Sequence, residues 1–273
     1  MAGDRLSSLK YIGGEFMKQE RKVVYVCGPP GTGKTVGVLA MCRPWRVEYM
    51  NIMNYRRAST WLQGVLDLAR ETGVCPDYKC SSAAIKLRLI KESFAGPDKL
   101  ILVVDEVDNF SPADLADFKL YLRELSEAKG LKFIAIANTV NYLLDSSTAD
   151  LQFEQIICSQ YSHKQSTDIL ESRIEAALRG SALSLTDVCD RDSLRKLGMV
   201  MQRSECDVRK MLHIMISSVN IAKQRVDGLA TDWLIAEAEG RPTPSFAEAK
   251  ELLKIHREDV DAAIRRANAS PVE

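Results

Sequence analysis

The chain has 273 residues, 46% hydrophobic and 27% charged, which is typical of a folded globular protein with one large domain or two moderate ones. Lysine plus arginine and aspartate plus glutamate both total 37, so the formal net charge is zero. This balance argues against a protein coated in positive charge, although it leaves room for a local basic face. No apolar run approaches the roughly 18 residues of a membrane span, and the N-terminus lacks a secretory signal pattern. We therefore expect no membrane partner and no secretion, and we interpret the seven scattered cysteines as buried free thiols.

Five short apolar runs predict the strands of a parallel sheet. In chain order they are "KVVYVC", "WRVEYMN", "KLILVVDE", "LKFIAIAN" and the weaker "FEQIIC". The third and fourth runs are continuously apolar, as is required of strands covered by helices on both faces. The segments between the runs are long enough for crossover helices.

The helices between and after these strands are marked by their ends and their apolar faces. In "SPADLADFKLYLRELSEAKG", Ser111 can cap a helix, Pro112 suits its first turn, and Gly130 can end it. After about residue 160 the strand signals stop, and only helical periods remain. The sequence thus predicts an α/β base over 1–160, followed by an all-helical domain over 161–273.

The clearest motif follows the first strand and reads "GPPGTGKT", which fits the phosphate-binding pattern G-x-x-x-x-G-K-[ST]. Its residues are Gly28, Pro29, Pro30, Gly31, Thr32, Gly33, Lys34 and Thr35. Glycines allow the backbone N–H groups to surround an anion, and the following helix adds its positive end. Lys34 would reach the β- and γ-phosphates of ATP, and the Thr35 hydroxyl would bind Mg²⁺. A glycine- and proline-rich turn with a chance lysine is the alternative interpretation.

Two carboxylates, Asp105 and Glu106, end the third strand in "LILVVDEVDNF". The carboxyl edge of an open parallel sheet is where ligands bind, and paired carboxylates there need a cation. We expect Asp105 to hold Mg²⁺ through water and Glu106 to polarise the attacking water. An ordinary acidic turn is the alternative, and we expect Asp108 to be solvated or structural.

Two further residues are candidates for sensing the γ-phosphate. Asn138 ends the fourth strand, where its amide can bond both the phosphate and the attacking water; the alternative is an asparagine that starts a turn. Arg209 lies in the helical domain and can contact the γ-phosphate if that domain folds over the nucleotide. A solvated helix arginine is the alternative for Arg209. We assign catalytic roles to Glu106, Asn138 and Arg209, with ATP or ADP and Mg²⁺ as cofactors.

Taken together, these motifs resemble the AAA+ ATPases, and within them the initiator branch of origin recognition complex and cell division control protein 6 proteins. The narrower cues are "FIAIANTVN", "CDVRKMLHI", "IHREDVDAAI" and a helical stretch after "YMNIMN" that is similar to an extra initiator helix. The resemblance implies a P-loop AAA+ five-stranded sheet in the order 5-1-4-3-2, a helical lid, and the roles given above. It also implies ATP-dependent action at replication origins, with other AAA+ initiator subunits, duplex DNA and the replicative helicase as partners. The location would be the nucleus in a eukaryote and the cytoplasm otherwise.

The sequence departs from this family in two ways. Its members usually carry an arginine finger between the sensor asparagine and the fifth strand, but "TVNYLLDSSTADLQFEQI" contains no arginine. We also expect no winged-helix domain in this chain, which ends in "ANASPVE". We expect slow hydrolysis that depends on a partner subunit, and weak DNA affinity in isolation.

Three functions remain open at this stage. The first is a hydrolysing initiator switch that contacts DNA through Arg56 and Arg57, for which a solvated helix start is the alternative. The second is a structural subunit of an initiator assembly that binds ATP without hydrolysing it. The third is another AAA+ remodelling ATPase, which would use Tyr55 in an aromatic substrate-gripping loop.

Overall fold

A computed structural model describes residues 23–71, 75, 81–96, 99–140, 142–143, 153–180, 184–203, 207–243, 245, 248, 251–252 and 254–269. The chain divides into two compact units, Met1–Ser159 and Gln160–Glu273. None of the helices in the described ranges combines the length and the apolar character needed to cross a bilayer.

The first unit is built on a five-stranded sheet. Its strands are β1 (Val23–Cys27), β2 (Arg46–Asn51), β3 (Leu100–Asp105), β4 (Leu131–Ala137) and β5 (Glu154–Ile157). The strands are hydrogen-bonded in the order β2-β3-β4-β1-β5, and every adjacent pair is parallel. The five strands and the order 5-1-4-3-2 are therefore confirmed.

Helices cover both faces of this sheet. They are α1 (Lys34–Cys42), α2 (Ile52–Tyr55), α3 (Ala58–Glu71), α4 (Ala83–Ser93) and α5 (Pro112–Ser126). Alternate residues of β1 enter separate apolar clusters: Tyr25 packs with α3 and α5, whereas Val24 packs with α1. This two-sided burial explains why the central strands are continuously apolar.

The start of α5 agrees with the prediction from the sequence, but the end of α5 does not. The Ser111 side chain accepts a hydrogen bond from the Asp114 backbone N–H, and Pro112 occupies the first turn. The helix ends at Ser126, so the expectation that Gly130 ends it is wrong. Gly130 instead bridges two segments, because its N–H donates to the Phe94 carbonyl and its own carbonyl accepts from Leu100.

In the described residues of the second unit, the regular secondary structure is helical, apart from an isolated bridge between Cys189 and Ile255. Its helices are α6 (His163–Ala177), α7 (Leu185–Val188), α8 (Arg191–Arg203), α9 (Val208–Ala238) and α10 (Arg257–Ala269). A separate apolar cluster that includes Leu170, Leu197, Met211 and Val260 holds them together. The predicted fold class, an α/β base followed by a helical domain, is therefore confirmed.

Within the described ranges, Cys27, Cys42, Cys158 and Cys189 are free and buried, as expected, and Cys75 is also buried. Cys80 and Cys206 lie outside the described residues.

Candidate nucleotide site

The loop after β1 has a backbone conformation that requires glycine. Gly28, Gly31 and Gly33 have φ values of 143°, 72° and 75°, a region that residues with a Cβ rarely adopt. At Gly28 a Cβ would also lie 2.1 Å from the carbonyl oxygen of Cys158, the residue that follows β5. The loop therefore packs directly against the end of a neighbouring strand, and Gly33 passes the chain into α1.

Lys34, the first residue of α1, folds back over this loop. Its ammonium group donates to the Gly28 carbonyl at 2.7 Å, to the Pro29 carbonyl at 2.9 Å and to Asn138 Oδ1 at 3.0 Å. The side chain is only 6% exposed, and this burial lowers the pKa of Lys34. Among the described residues, the acceptors of this buried ammonium group are all neutral oxygens, so a phosphate would stabilise its charge.

Thr35 and Asp105 meet at the carboxyl ends of the strands. The Thr35 hydroxyl donates to Asp105 Oδ2 at 2.7 Å, and the carboxylate is buried. A third residue, Tyr49 of β2, donates its hydroxyl to the same oxygen at 2.9 Å. Tyr49 is not predicted from the sequence, although the parallel pairing of β2 with β3 sets Asn51 opposite Asp105 and brings the end of β2 to this edge.

Glu106 follows Asp105 in a left-handed backbone conformation, with φ of 59° and ψ of 38°. A non-glycine residue in this region costs roughly 1–3 kcal/mol, and such strain is concentrated at functional sites. The strained peptide lets the Glu106 N–H donate to Asp105 Oδ1 at 2.8 Å. Its side chain is half-buried, and Asn109 Nδ2 lies 3.5 Å from Glu106 Oε2.

The Asn138 backbone is fixed by Asp108, whose Oδ2 accepts a hydrogen bond from the Asn138 N–H at 2.9 Å. The expectation that Asp108 is structural agrees with this contact. The other carboxylate oxygen of Asp108 is buried and has no hydrogen-bond partner among the described residues. The structure thus brings Lys34, Thr35, Asp105 and Asn138 together at one edge of the sheet.

Arg209 belongs to the other unit, in the first turn of α9. Its guanidinium pairs with the carboxylate of Asp207 at 3.0 Å, and its side chain is 70% exposed. Burial acts to raise the pKa of Asp207, but the hydrogen bonds from Arg209 outweigh it and lower that pKa. Asp207 also caps α9 by accepting the Arg209 backbone N–H.

The residues of the first unit fit a magnesium-bound triphosphate. They supply a glycine-rich loop for the phosphates, an ammonium group, a hydroxyl and a buried carboxylate. No group of three or more His, Cys, Asp or Glu side chains able to hold a metal occurs in the described part of the chain. Magnesium characteristically binds one or two protein oxygens and completes its shell with phosphate oxygens and water, so this small donor set is appropriate.

The segment after β2 contains Tyr55, the residue that a remodelling ATPase would use to grip its substrate. Tyr55 is half-buried and packs against the main apolar cluster, with its ring beside Gly64 of α3. It therefore contributes to the core, which weakens its case as an exposed gripping residue. Arg56 and Arg57, directly before α3, are both exposed.

Comparison with known proteins agrees with this architecture. Residues 17–143 match the family model described as an AAA domain. No curated protein sequence gives a match. Among solved structures, Cdc6p from Pyrobaculum aerophilum has a TM-score of 0.64 at 19% identity, covering 99% of this chain and 82% of that one. Orc1 from Aeropyrum pernix, solved in complex with DNA, has a TM-score of 0.50 at 16% identity, covering 97% and 82%. The AAA+ resemblance is confirmed, and the chain has the fold of these Cdc6 and Orc1 proteins.

Proposed function

We propose that this chain, which carries an AAA domain on a Cdc6- and Orc1-like fold, is an ATP-dependent subunit of a replication-initiation assembly. It binds ATP with Mg²⁺, hydrolyses it slowly, and acts at replication origins as an initiator or helicase-loading subunit. The observation that carries this proposal is the cluster of Lys34, Thr35, Asp105 and Asn138, built by segments that are up to 104 residues apart. In a fold of this kind, such a cluster favours a nucleotide switch over a general anion site.

Lys34 acts on the phosphates, and the Thr35 hydroxyl and Asp105 would hold Mg²⁺. When a triphosphate enters the loop, the ammonium group exchanges its bonds to the Gly28 and Pro29 carbonyls for charge-assisted bonds to phosphate oxygens. The exchange offsets the cost of burying the charge, so binding is favoured where the lysine is protonated. Magnesium, when bound, neutralises the phosphate charge that develops during transfer.

Glu106 and Asn138 act on the water that attacks the γ-phosphate. The Glu106 carboxylate accepts a proton from that water as general base. The left-handed backbone conformation at Glu106 sets the direction in which its side chain leaves the backbone. The Asn138 amide orients the water and the γ-phosphate, while Asp108 fixes the Asn138 backbone. The bond from Lys34 to Asn138 connects the phosphate loop to this sensor directly.

Arg209 serves as the sensor of the helical unit. A γ-phosphate competes with Asp207 for its guanidinium, so Arg209 distinguishes ATP from ADP by exchanging one anionic partner for another. This exchange couples the nucleotide state to the orientation of the helical unit.

Duplex DNA and other AAA+ subunits are the proposed partners, which places the chain in the nucleus of a eukaryote and in the cytoplasm otherwise. The exposed pair Arg56 and Arg57 is the candidate phosphate contact. The sequence between Asn138 and β5 contains no arginine, which favours a subunit whose own site is completed by a neighbour's arginine.

The DNA part of this proposal is tested by fluorescence anisotropy with a labelled duplex, ATP and varied salt. We expect Arg56→Gln and Arg57→Gln each to weaken binding and to reduce the slope of log K against log salt by about 1. Arg88→Gln is the matched control, because Arg88 is 70% exposed on α4 and lies outside the proposed contact. Binding without salt dependence, or equal losses in all three variants, would contradict the assignment.

The second candidate is a subunit that binds ATP tightly as a structural element without hydrolysing it. The missing arginine favours it, whereas the paired Asp105 and Glu106 favour hydrolysis. The two functions differ in whether ADP forms during a single turnover in the presence of partner subunits.

A further inference from the structure

Tyr49 occupies a position that core packing does not explain. It is the fourth residue of β2, its side chain is 42% exposed, and it belongs to none of the apolar clusters. Its hydroxyl nevertheless donates to Asp105 Oδ2 at 2.9 Å, on the carboxylate assigned to the metal. A polar contact, and not burial of the ring, therefore accounts for a tyrosine at this site.

The Asp105 carboxylate is fixed through both of its oxygens. Oδ2 accepts hydrogen bonds from Thr35 at 2.7 Å and from Tyr49, and Oδ1 accepts the Glu106 N–H at 2.8 Å. A carboxylate has roughly four acceptor positions, so three are filled and about one remains for a water of the hydrated metal. The terminal torsion of an aspartate is soft, and rotation here would break bonds at both oxygens.

Asn51 sets the direction of the Tyr49 hydroxyl. Its Nδ2 group lies 3.4 Å from the phenolic oxygen as a donor, while its Oδ1 accepts the Met53 N–H at the start of α2. Because the phenolic oxygen accepts a hydrogen bond from this amide, the phenolic O–H is directed to Asp105 as a donor. The amide orientation is in turn fixed by the helix that it caps.

We propose that Tyr49 is a positioning residue for the magnesium site, acting through the orientation of Asp105. This inference rests on the proposed ATP- and Mg²⁺-binding function and adds to it a residue that sets metal affinity. A hydrogen-bond partner behind a metal-binding group typically contributes 10- to 100-fold to metal affinity. Tyr49 therefore affects the metal without affecting metal-free nucleotide binding.

The test is Tyr49→Phe, which removes the hydroxyl that bonds Asp105 and keeps the ring. Binding of a fluorescent ATP analogue is measured in excess chelator and then across a Mg²⁺ titration, and free Mn²⁺ is followed by electron paramagnetic resonance in a parallel experiment. We expect the half-saturating concentration of either metal to rise by about 10-fold. We also expect nucleotide affinity in chelator and the melting temperature of the nucleotide-free protein to stay at wild-type values.

Tyr55→Phe is the matched control, because Tyr55 lies just beyond β2 and its ring packs on α3, away from the carboxylate. It should keep the wild-type metal dependence. If the wild-type protein binds nucleotide in a Mg²⁺-dependent way but Tyr49→Phe shifts that dependence by less than about twofold, the inference is wrong and the proposed function stands. If the wild-type protein binds no nucleotide, both fail together.

Discussion

Replacing Gly28 with alanine tests the close packing of the phosphate loop against β5. The new Cβ would lie 2.1 Å from the Cys158 carbonyl oxygen, where real Cβ contacts essentially never fall below 3.0 Å. The backbone must move by about 1 Å to relieve this overlap. That movement strains the 2.7 Å hydrogen bond from Cys158 N to the Cys27 carbonyl, which joins the same two segments. The φ value of 143° adds conformational strain.

The expected loss follows from these two terms. Strained backbone of this kind costs roughly 1–3 kcal/mol, and forcing atoms into a packed site costs about another 1–3 kcal/mol. Gly28→Ala should therefore lower the free energy of unfolding by about 2–6 kcal/mol, a large share of the roughly 5–15 kcal/mol typical of a domain. It should also weaken nucleotide binding, because the Gly28 carbonyl moves with the loop.

Urea unfolding followed by circular dichroism measures the first effect, and titration of a fluorescent nucleotide measures the second. Gly96→Ala is the control in the same unit, since its new Cβ would have no atom of the described residues within 4 Å apart from its chain neighbours. It should change stability by no more than about 0.5 kcal/mol. The reasoning is refuted if Gly28→Ala costs less than about 1 kcal/mol and binds nucleotide normally.

Substitutions at three other positions have expected outcomes. Lys34→Met should abolish nucleotide binding yet leave the free energy of unfolding of the nucleotide-free protein within about 1 kcal/mol, as measured by denaturation, because removing a costly buried charge offsets the lost hydrogen bonds. Trp61→Ala should cost about 3–5 kcal/mol, whereas Trp61→Phe should cost below about 1.5 kcal/mol, because Trp61 Nε1 is buried without a partner among the described residues. Arg209→Ala should reduce the preference for ATP over ADP in competition titrations about 5- to 150-fold, and an unchanged preference would remove Arg209 from the sensor role.

The central part of the fold could be predicted because it depends on local signals. Continuous apolar runs marked the buried strands, and Ser111 with Pro112 marked the start of α5. The "GPPGTGKT" loop combined glycine, lysine and a hydroxyl at a spacing with a single established mechanism. Each of these signals lies within a few residues of the feature that it predicts.

The rest depends on contacts between distant segments. Tyr49 reaches Asp105 across 56 residues, and only the pairing of β2 with β3 brings them together. The left-handed conformation of Glu106 likewise follows from the tight turn after β3, because glutamate has no preference for it. The helix α9 runs from Val208 to Ala238 and passes through Gly228 without ending, which is not predicted from the sequence.

Single-turnover hydrolysis of γ-labelled ATP, with protein in excess and with partner subunits added, tests the central claim most directly. The account predicts that the wild-type chain converts bound ATP to ADP, and that Glu106→Gln binds ATP equally well but hydrolyses it at least about 100-fold more slowly. Absence of ADP under every condition, or an unchanged rate in Glu106→Gln, would contradict the assignment of this site as a hydrolysing switch.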